Sequence, residues 1–316
     1  MSVLVTGGAG FIGSHLAERL VAAGRKLYVL DNFSTGRMDN LAGIRSSRNL
    51  KVVKGDVRRI HRTLTKMPRR IDAICHLAAV TSVQQSTREP ILTNEVNVTG
   101  TLQVLEAARK LDADRVVFAS SAAVYGTPRA FPISEDAIIS PISPYGASKA
   151  ASELYLGSFV ENHGIECVSL RYFNVYGPRQ AASQYSGVIS IFAKRALNQQ
   201  PLQIFGDGSY TRDFIFVSDV VDATIASLQT TLENGTFNIA SGNETTVLEL
   251  ARVVQRITGS PTGLEFCPPR PGDIPRSVAD TARAKKELGF EARTSLEDGL
   301  STTIGWFMHQ KRTRPA

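Results

Sequence analysis

Thr6-Gly7-Gly8-Ala9-Gly10-Phe11-Ile12-Gly13 decides how this chain is read. A β-branched run, Val3-Leu4-Val5, leads into it, and Ile12, Leu16 and Leu20 recur every four residues behind it, with Gly24 placed as a left-handed cap. Glycines at such a strand-to-helix junction let backbone N–H groups approach a pyrophosphate at the helix N-terminus. Gly8, Gly10 and Gly13 fit GxGxxG, which glycine-rich turns meet by accident, but the flanking strand and helix make the match specific. Asp31 closes the next strand-like run, Leu27-Tyr28-Val29-Leu30, where an acid accepts hydrogen bonds from the adenosine ribose and repels a 2′-phosphate. NAD is therefore expected over NADP.

Outward from this unit, Val52-Val53, Ile71-Asp72-Ala73-Ile74 and Val116-Val117-Phe118 alternate with helical patterns, which indicates a parallel sheet with crossover helices. Val98, Leu102, Leu105 and Ala108 form one apolar stripe, and residues 145–160 carry another behind Ser143, a candidate N-cap. After about residue 174, Gly177-Pro178, Gly206-Asp207-Gly208 and Pro268-Pro269-Arg270-Pro271-Gly272 punctuate short helical runs, as in a loop-rich lobe. The expected fold is α/β, a Rossmann-type doubly wound parallel sheet with a smaller mixed α/β substrate-binding lobe. Residues 1–173 plus about 211–240 are assigned to the NAD-binding domain, and 174–210 and about 241–316 to the substrate lobe.

With 316 residues, 42% of them hydrophobic and 21% charged, the chain can bury a core, which excludes wholesale disorder and a peptide scaffold. The net charge of +7 includes Arg58, Arg59, Arg62, Lys66, Arg69 and Arg70, in a segment with neither acid nor aromatic between 57 and 71. Such a run reads as a solvated helix face, and no nucleic-acid partner is expected. No stretch approaches the roughly 18 apolar residues of a membrane span, and a strand follows Met1 directly, so neither a membrane anchor nor a signal peptide is expected. Cys75, Cys167 and Cys267 are odd in number and lack metal-ligand spacing, so no metal is expected and a reducing, cytoplasmic location is.

Tyr145-Gly146-Ala147-Ser148-Lys149 puts a phenol and an ammonium four residues apart, on one helix face. Free Tyr, with a pKa of about 10, is a poor base, but a nearby cation together with a positive nicotinamide ring favours the phenolate. Phe118-Ala119-Ser120-Ser121-Ala122-Ala123 runs from a strand into a serine-bearing loop at the carboxyl end of the sheet, where doubly wound folds bind ligands. Ser121, Tyr145 and Lys149 then converge as a catalytic group.

GGAGFIG at 7–13, DN at 31–32, GDV at 55–57, HLAA at 76–79 and NVTGT at 97–101 stand in order with SSAAVYG at 120–126 and YGASK at 145–149. RYFNVYGPR at 171–179, RDFIFVSD at 212–219 and RPGD at 270–273 complete the series. On these motifs the chain resembles the extended short-chain dehydrogenases/reductases of the nucleotide-sugar epimerase/dehydratase group over nearly its whole length. The resemblance implies that Gly7, Gly10, Phe11, Ile12, Gly13, Asp31, Asn32, Asp56, Val57, Leu77, Ala78, Ala79, Asn97, Tyr172 and Phe173, with Tyr145 and Lys149, hold NAD. It implies sugar-nucleotide contacts from Ser82, Asn174, Val188, Gln203, Phe205, Arg212, Arg270, Asp273 and Ser277, besides Ser121 and Tyr145. It also implies a homodimer formed by a four-helix bundle from helices near 94–111 and 144–161.

Within the group, 4,6-dehydratases follow the catalytic hydroxyl with Asp-Glu, and here Ala122 and Ala123 stand there, so elimination lacks its proton-transferring pair. Redox at C4 is what Ser121, Tyr145 and Lys149 can still do, and the resemblance then implies NAD-dependent C4 epimerisation of a UDP-hexose through a 4-keto intermediate. UDP-glucose and UDP-galactose are the expected substrates. Ser277, where glucose-restricted members carry a bulky Tyr, leaves volume that implies acceptance of UDP-GlcNAc and UDP-GalNAc. The alternatives are UDP-glucuronate 4-epimerase or another member of the group; Asn174 and Ala122 favour a neutral hexose.

Overall fold

The computed structural model describes residues 1–180, 187–269 and 273–313. Its strands are β1 (Ser2–Thr6), β2 (Lys26–Asp31), β3 (Leu50–Lys54), β4 (Ala73–His76), β5 (Arg115–Ser121), β6 (Glu166–Tyr172), β7 (Asn174–Tyr176), β8 (Leu202–Phe205), β9 (Thr211–Phe216), β10 (Asn234–Ile239), β11 (Glu244–Thr246) and β12 (Leu264–Cys267). Its helices are α1 (Phe11–Ala22), α2 (Val83–Arg88), α3 (Pro90–Asn94), α4 (Gly100–Lys110), α5 (Pro144–His163), α6 (Val188–Leu197), α7 (Val217–Gln229), α8 (Val247–Thr258), α9 (Ala282–Leu288) and α10 (Leu296–Thr313).

Seven strands form one parallel sheet in the order β10-β6-β5-β4-β1-β2-β3. The β-branched runs of the sequence supply β1 to β5, since strands covered on both faces are apolar throughout. Side-chain alternation splits β1 between two layers: Val3 and Val5 pack with Leu16 and Leu20 of α1 and Val220 of α7, while Leu4 packs with Val104 of α4 and Leu156 of α5. Each such burial contributes about 1.5–3 kcal/mol. The order reverses at β1, which lies between β4 and β2, and this reversal opens a crevice beyond the carboxyl ends of the strands.

The smaller sheets are β11-β9-β7 and β12-β8. Phe192 of α6, Leu250 and Val254 of α8, and Leu300 and Ile304 of α10 surround Leu202 and Ile204 of β8 in a separate apolar core. Within the segment 211–240, α7 and β10 belong to the large sheet's layers, whereas β9 pairs with β7 and β11. The basic run of the sequence forms a 3-10 helix, Val57–Lys66, with Arg59, Arg62 and Lys66 exposed. Arg70 is paired there with Asp72, Asp112 and Asp114. Among the described residues, no helix is long and apolar enough to cross a membrane, and no group of three or more His, Cys, Asp or Glu could hold a metal ion.

Candidate active site

The crevice is a cleft of about 1450 Å³. Gly7, Gly10, Phe11, Ile12 and Gly13 form its floor between β1 and α1. Gly7 has φ +70°, and a Cβ on Gly13 would stand 2.2 Å from the Gly7 carbonyl oxygen. No other residue fits there, and the free backbone N–H groups at the start of α1 suit the pyrophosphate of NAD. Asp31 braces this loop: its carboxylate accepts from the Ala9 N–H at 2.9 Å and from the Phe33 N–H at 2.8 Å. Asp31 and Asn32 both face the cleft, as do Val57, Leu77, Ala78, Ala79, Tyr172 and Phe173.

Two residues of the expected cofactor set stand off the wall. Asp56 caps the following 3-10 helix and is bound by Arg58, 2.8 Å from guanidinium to carboxylate, which holds its carboxyl below the usual range. Arg58 itself lines the cleft and also reaches Glu95 at 3.1 Å. Asn97 is 2% exposed. Its side-chain amide accepts from the Val80 N–H and donates to the Val80 carbonyl and the Ser148 hydroxyl, so it holds the backbone at Val80.

The expected catalytic group, Ser121, Tyr145 and Lys149, lines the same cleft. Ser121 ends β5 in extended conformation, and its Oγ accepts from the Ala123 N–H at 3.2 Å. Helix α5 starts beside it because Ser143 Oγ accepts from the Gly146 N–H and Pro144 needs no donor partner. Ser86 Oγ accepts from the Tyr145 N–H at 3.1 Å, tying α2 to the same helix end. One turn on, Lys149 is 3% exposed and donates from Nζ to the Ala119 carbonyl at 2.7 Å, with Nζ 4.7 Å from the Phe118 ring centre and 6.0 Å from that of Tyr145.

Burial pushes the Lys149 ammonium down to about 7, with Glu153 opposing. Burial also raises the Tyr145 phenol above its ordinary value, with the Ser121 hydroxyl opposing. The phenolate expected of the sequence calls on the positive nicotinamide ring of NAD as well as on Lys149. Ala122 and Ala123 form the turn after Ser121 and supply no proton-transferring side chain.

A second cavity of about 250 Å³ adjoins the cleft and shares Asn174, Val175, Gln180 and Gly187 with it. Asn174, Val188, Gln203, Phe205, Arg212 and Asp273, expected from separate motifs to contact the nucleotide, all line it. Arg212 donates to the carbonyls of Thr211 and Ile274; burial lowers its pKa and Asp273 opposes. Ser82 lines the large cleft and caps α2, its Oγ accepting from the Gln85 N–H at 3.1 Å. Ser277 is half-buried and lines neither cavity, and Arg270 lies outside the described residues.

Several wall residues were not anticipated. Arg179 donates to Ser14 at 3.2 Å and Glu18 at 2.7 Å, bridging the RYFNVYGPR motif to α1; that motif was the available signal. Trp306 and Phe307 of α10 also line the cleft, and nothing local in their sequence marks them.

The family described as GDP-mannose 4,6 dehydratase matches residues 4–303. UDP-glucose 4-epimerase of Mycolicibacterium smegmatis is 40% identical over 313 residues, 99% of this chain and 100% of that protein. The structure of UDP-N-acetylglucosamine 4-epimerase from Methanobrevibacter ruminantium in complex with UDP-N-acetylmuramic acid superposes with a TM-score of 0.93 at 38% identity, covering 98% of each chain. The Thermus thermophilus UDP-glucose 4-epimerase complex with NAD gives 0.89 at 37% identity, covering 98% of this chain and 99% of that one. Glycine cradle, catalytic wall and full-length likeness agree: the chain belongs to the GDP-mannose 4,6 dehydratase family of extended short-chain dehydrogenases/reductases.

Proposed function

We propose that this chain is an NAD-dependent UDP-hexose 4-epimerase, an isomerase acting on UDP-glucose/UDP-galactose and on UDP-GlcNAc/UDP-GalNAc. The observation that carries this reading is the convergence of Ser121, Tyr145 and Lys149 on the cleft that holds the glycine cradle, with Ala122 and Ala123 beside them. Gly7, Gly10, Gly13, Asp31 and Lys149 would hold NAD, which when bound supplies reversible oxidation at the sugar C4.

The chain's own part is proton transfer and placement. Tyr145 Oη takes the proton of the sugar 4-hydroxyl as C4 becomes a carbonyl and returns it after the 4-keto sugar has presented its other face. Ser121 Oγ donates to the reacting oxygen, and the Lys149 ammonium sits behind the phenol and favours its ionised form. The second cavity would anchor the UDP portion, with Arg212 toward the diphosphate. Acceptance of the N-acetyl sugars rests on the likeness to the N-acetylglucosamine epimerase, since Ser277 lines neither cavity.

In this reading residues 1–173 with about 211–240 bind NAD, the remainder binds the UDP-sugar, and the enzyme works in the cytoplasm. It is a homodimer whose four-helix bundle, from the helices near 94–111 and 144–161, would cover Leu154 and Tyr155 of α5, 75% and 41% exposed. Light scattering at the mass of two chains is the expected result, and a monomer would contradict it. Incubation with UDP-glucose and with UDP-GlcNAc, products resolved by proton NMR, tests the activity. Galacto-configured products are expected; a 4-keto-6-deoxy product or an unchanged sugar would overturn the assignment.

A further inference from the structure

One turn beyond Lys149 on α5 stands Glu153, whose side chain is only 8% exposed. Arg171 binds it with both arms of the guanidinium, Nε to Oε1 at 3.0 Å and Nη2 to Oε2 at 2.7 Å, and the Ser120 hydroxyl donates to Oε1. Ser120 and Arg171 are partners in register between β5 and β6, so this carboxylate joins the last residues of β5 to α5 at the place where β5 presents Ala119 and Ser121. A buried ion pair is a weak source of stability, because desolvating two charges offsets most of their attraction.

The groups facing Lys149 from every side single out this carboxylate. From β5 come the Ala119 carbonyl and the Phe118 ring, and from its own helix the Tyr145 phenol. His76 of β4 is held by burial down to about 3 and is neutral. Arg171 of β6 is engaged by Glu153 itself. Glu153 is the one anion among them, and it opposes the burial that drives Lys149 down.

We infer that Glu153 is a positioning residue: anchored by Arg171 and Ser120, its carboxylate keeps Lys149 in the ammonium form and fixes the end of β5 that carries Ser121. The inference rests on the reading of Lys149 as the cation that holds the nicotinamide ribose. Arg171 sets the direction of the carboxylate; it does not touch the reacting atoms.

Trp306 is the single tryptophan and lines the cleft, so its fluorescence reports NADH binding to the nucleotide-free full chain. NADH affinity is measured from pH 5 to pH 9 for the wild type, Glu153→Gln, and the double variant Glu153→Gln with Arg171→Met. Wild-type affinity is expected to weaken as Lys149 loses its proton. In Glu153→Gln the midpoint falls by about one pH unit, a roughly tenfold change in the lysine's proton affinity. In the double variant it falls less, because the guanidinium that the lost carboxylate had neutralised is gone as well.

A merely structural role would shift stability and leave the midpoints alike. Midpoints within about 0.3 unit of the wild type, or affinity independent of pH, would overturn the inference. If Glu153→Gln does not fold, the double variant, which leaves no lone buried charge, carries the same comparison. A shifted midpoint in a chain that epimerises no sugar would sustain the positioning role and remove the epimerase reading; epimerisation with unshifted midpoints would do the reverse.

Discussion

The ammonium of Lys149 donates to the carbonyl oxygen of Ala119 at 2.7 Å, joining the helix that carries Tyr145 to the strand that ends in Ser121. The contact spans 30 residues of sequence and fixes the two halves of the proposed catalytic group relative to each other. Their chemistry depends on that placement more than on any one side chain.

Tyr145→Phe removes the phenol proposed to exchange a proton with the sugar 4-hydroxyl while keeping the ring beside Lys149. Turnover should fall by about 10²–10⁴-fold. NADH affinity, measured by fluorescence, should change little. Equal loss of both would show that the phenol acts in binding.

Gly13→Ala places a Cβ 2.2 Å from the Gly7 carbonyl oxygen, so the turn must open. NADH binding should weaken by about 100-fold, and stability should fall by about 1–3 kcal/mol from the overpacked contact. Calorimetric titration and urea unfolding measure the two effects on one sample.

Asp31→Ser removes the carboxylate that would repel a 2′-phosphate, and with it the acceptor of the Ala9 N–H. NADH affinity should drop, and the preference for NADH over NADPH should shrink by about tenfold. Parallel titrations with the two dinucleotides give the ratio.

His76 sits between Thr6 Oγ1 at 2.7 Å and Thr101 Oγ1 at 3.0 Å, and burial holds its pKa down to about 3. A histidine in the unfolded chain takes a proton near pH 6.5, so the unfolded state binds more protons between these values. Stability from this residue is complete above about pH 6.5 and is lost as pH falls toward 3, by about 1.4 kcal/mol per pH unit. Urea unfolding at pH 7, 6 and 5 should show a shallower decline in His76→Gln than in the wild type.

Sequence alone determined the parallel strands, the glycine turn and the candidate trio Ser121, Tyr145 and Lys149. Val3-Leu4-Val5 reads as a buried strand, Gly13 is required by sterics within six residues of Gly7, and Tyr145 and Lys149 share one helix face behind the Ser143 cap. These are short-range constraints, set by backbone geometry and side-chain periodicity, and they can be read wherever a motif stands. Tertiary structure alone decided which side chains reach the cleft. It tied Asn97 to the backbone at Val80, brought Trp306 and Arg179 onto the wall, gathered Arg212, Phe205 and Asp273 into one cavity, and left Ser277 outside. Those placements, and the burial that raises the Tyr145 phenol, depend on everything packed around a group, which no local stretch of residues encodes.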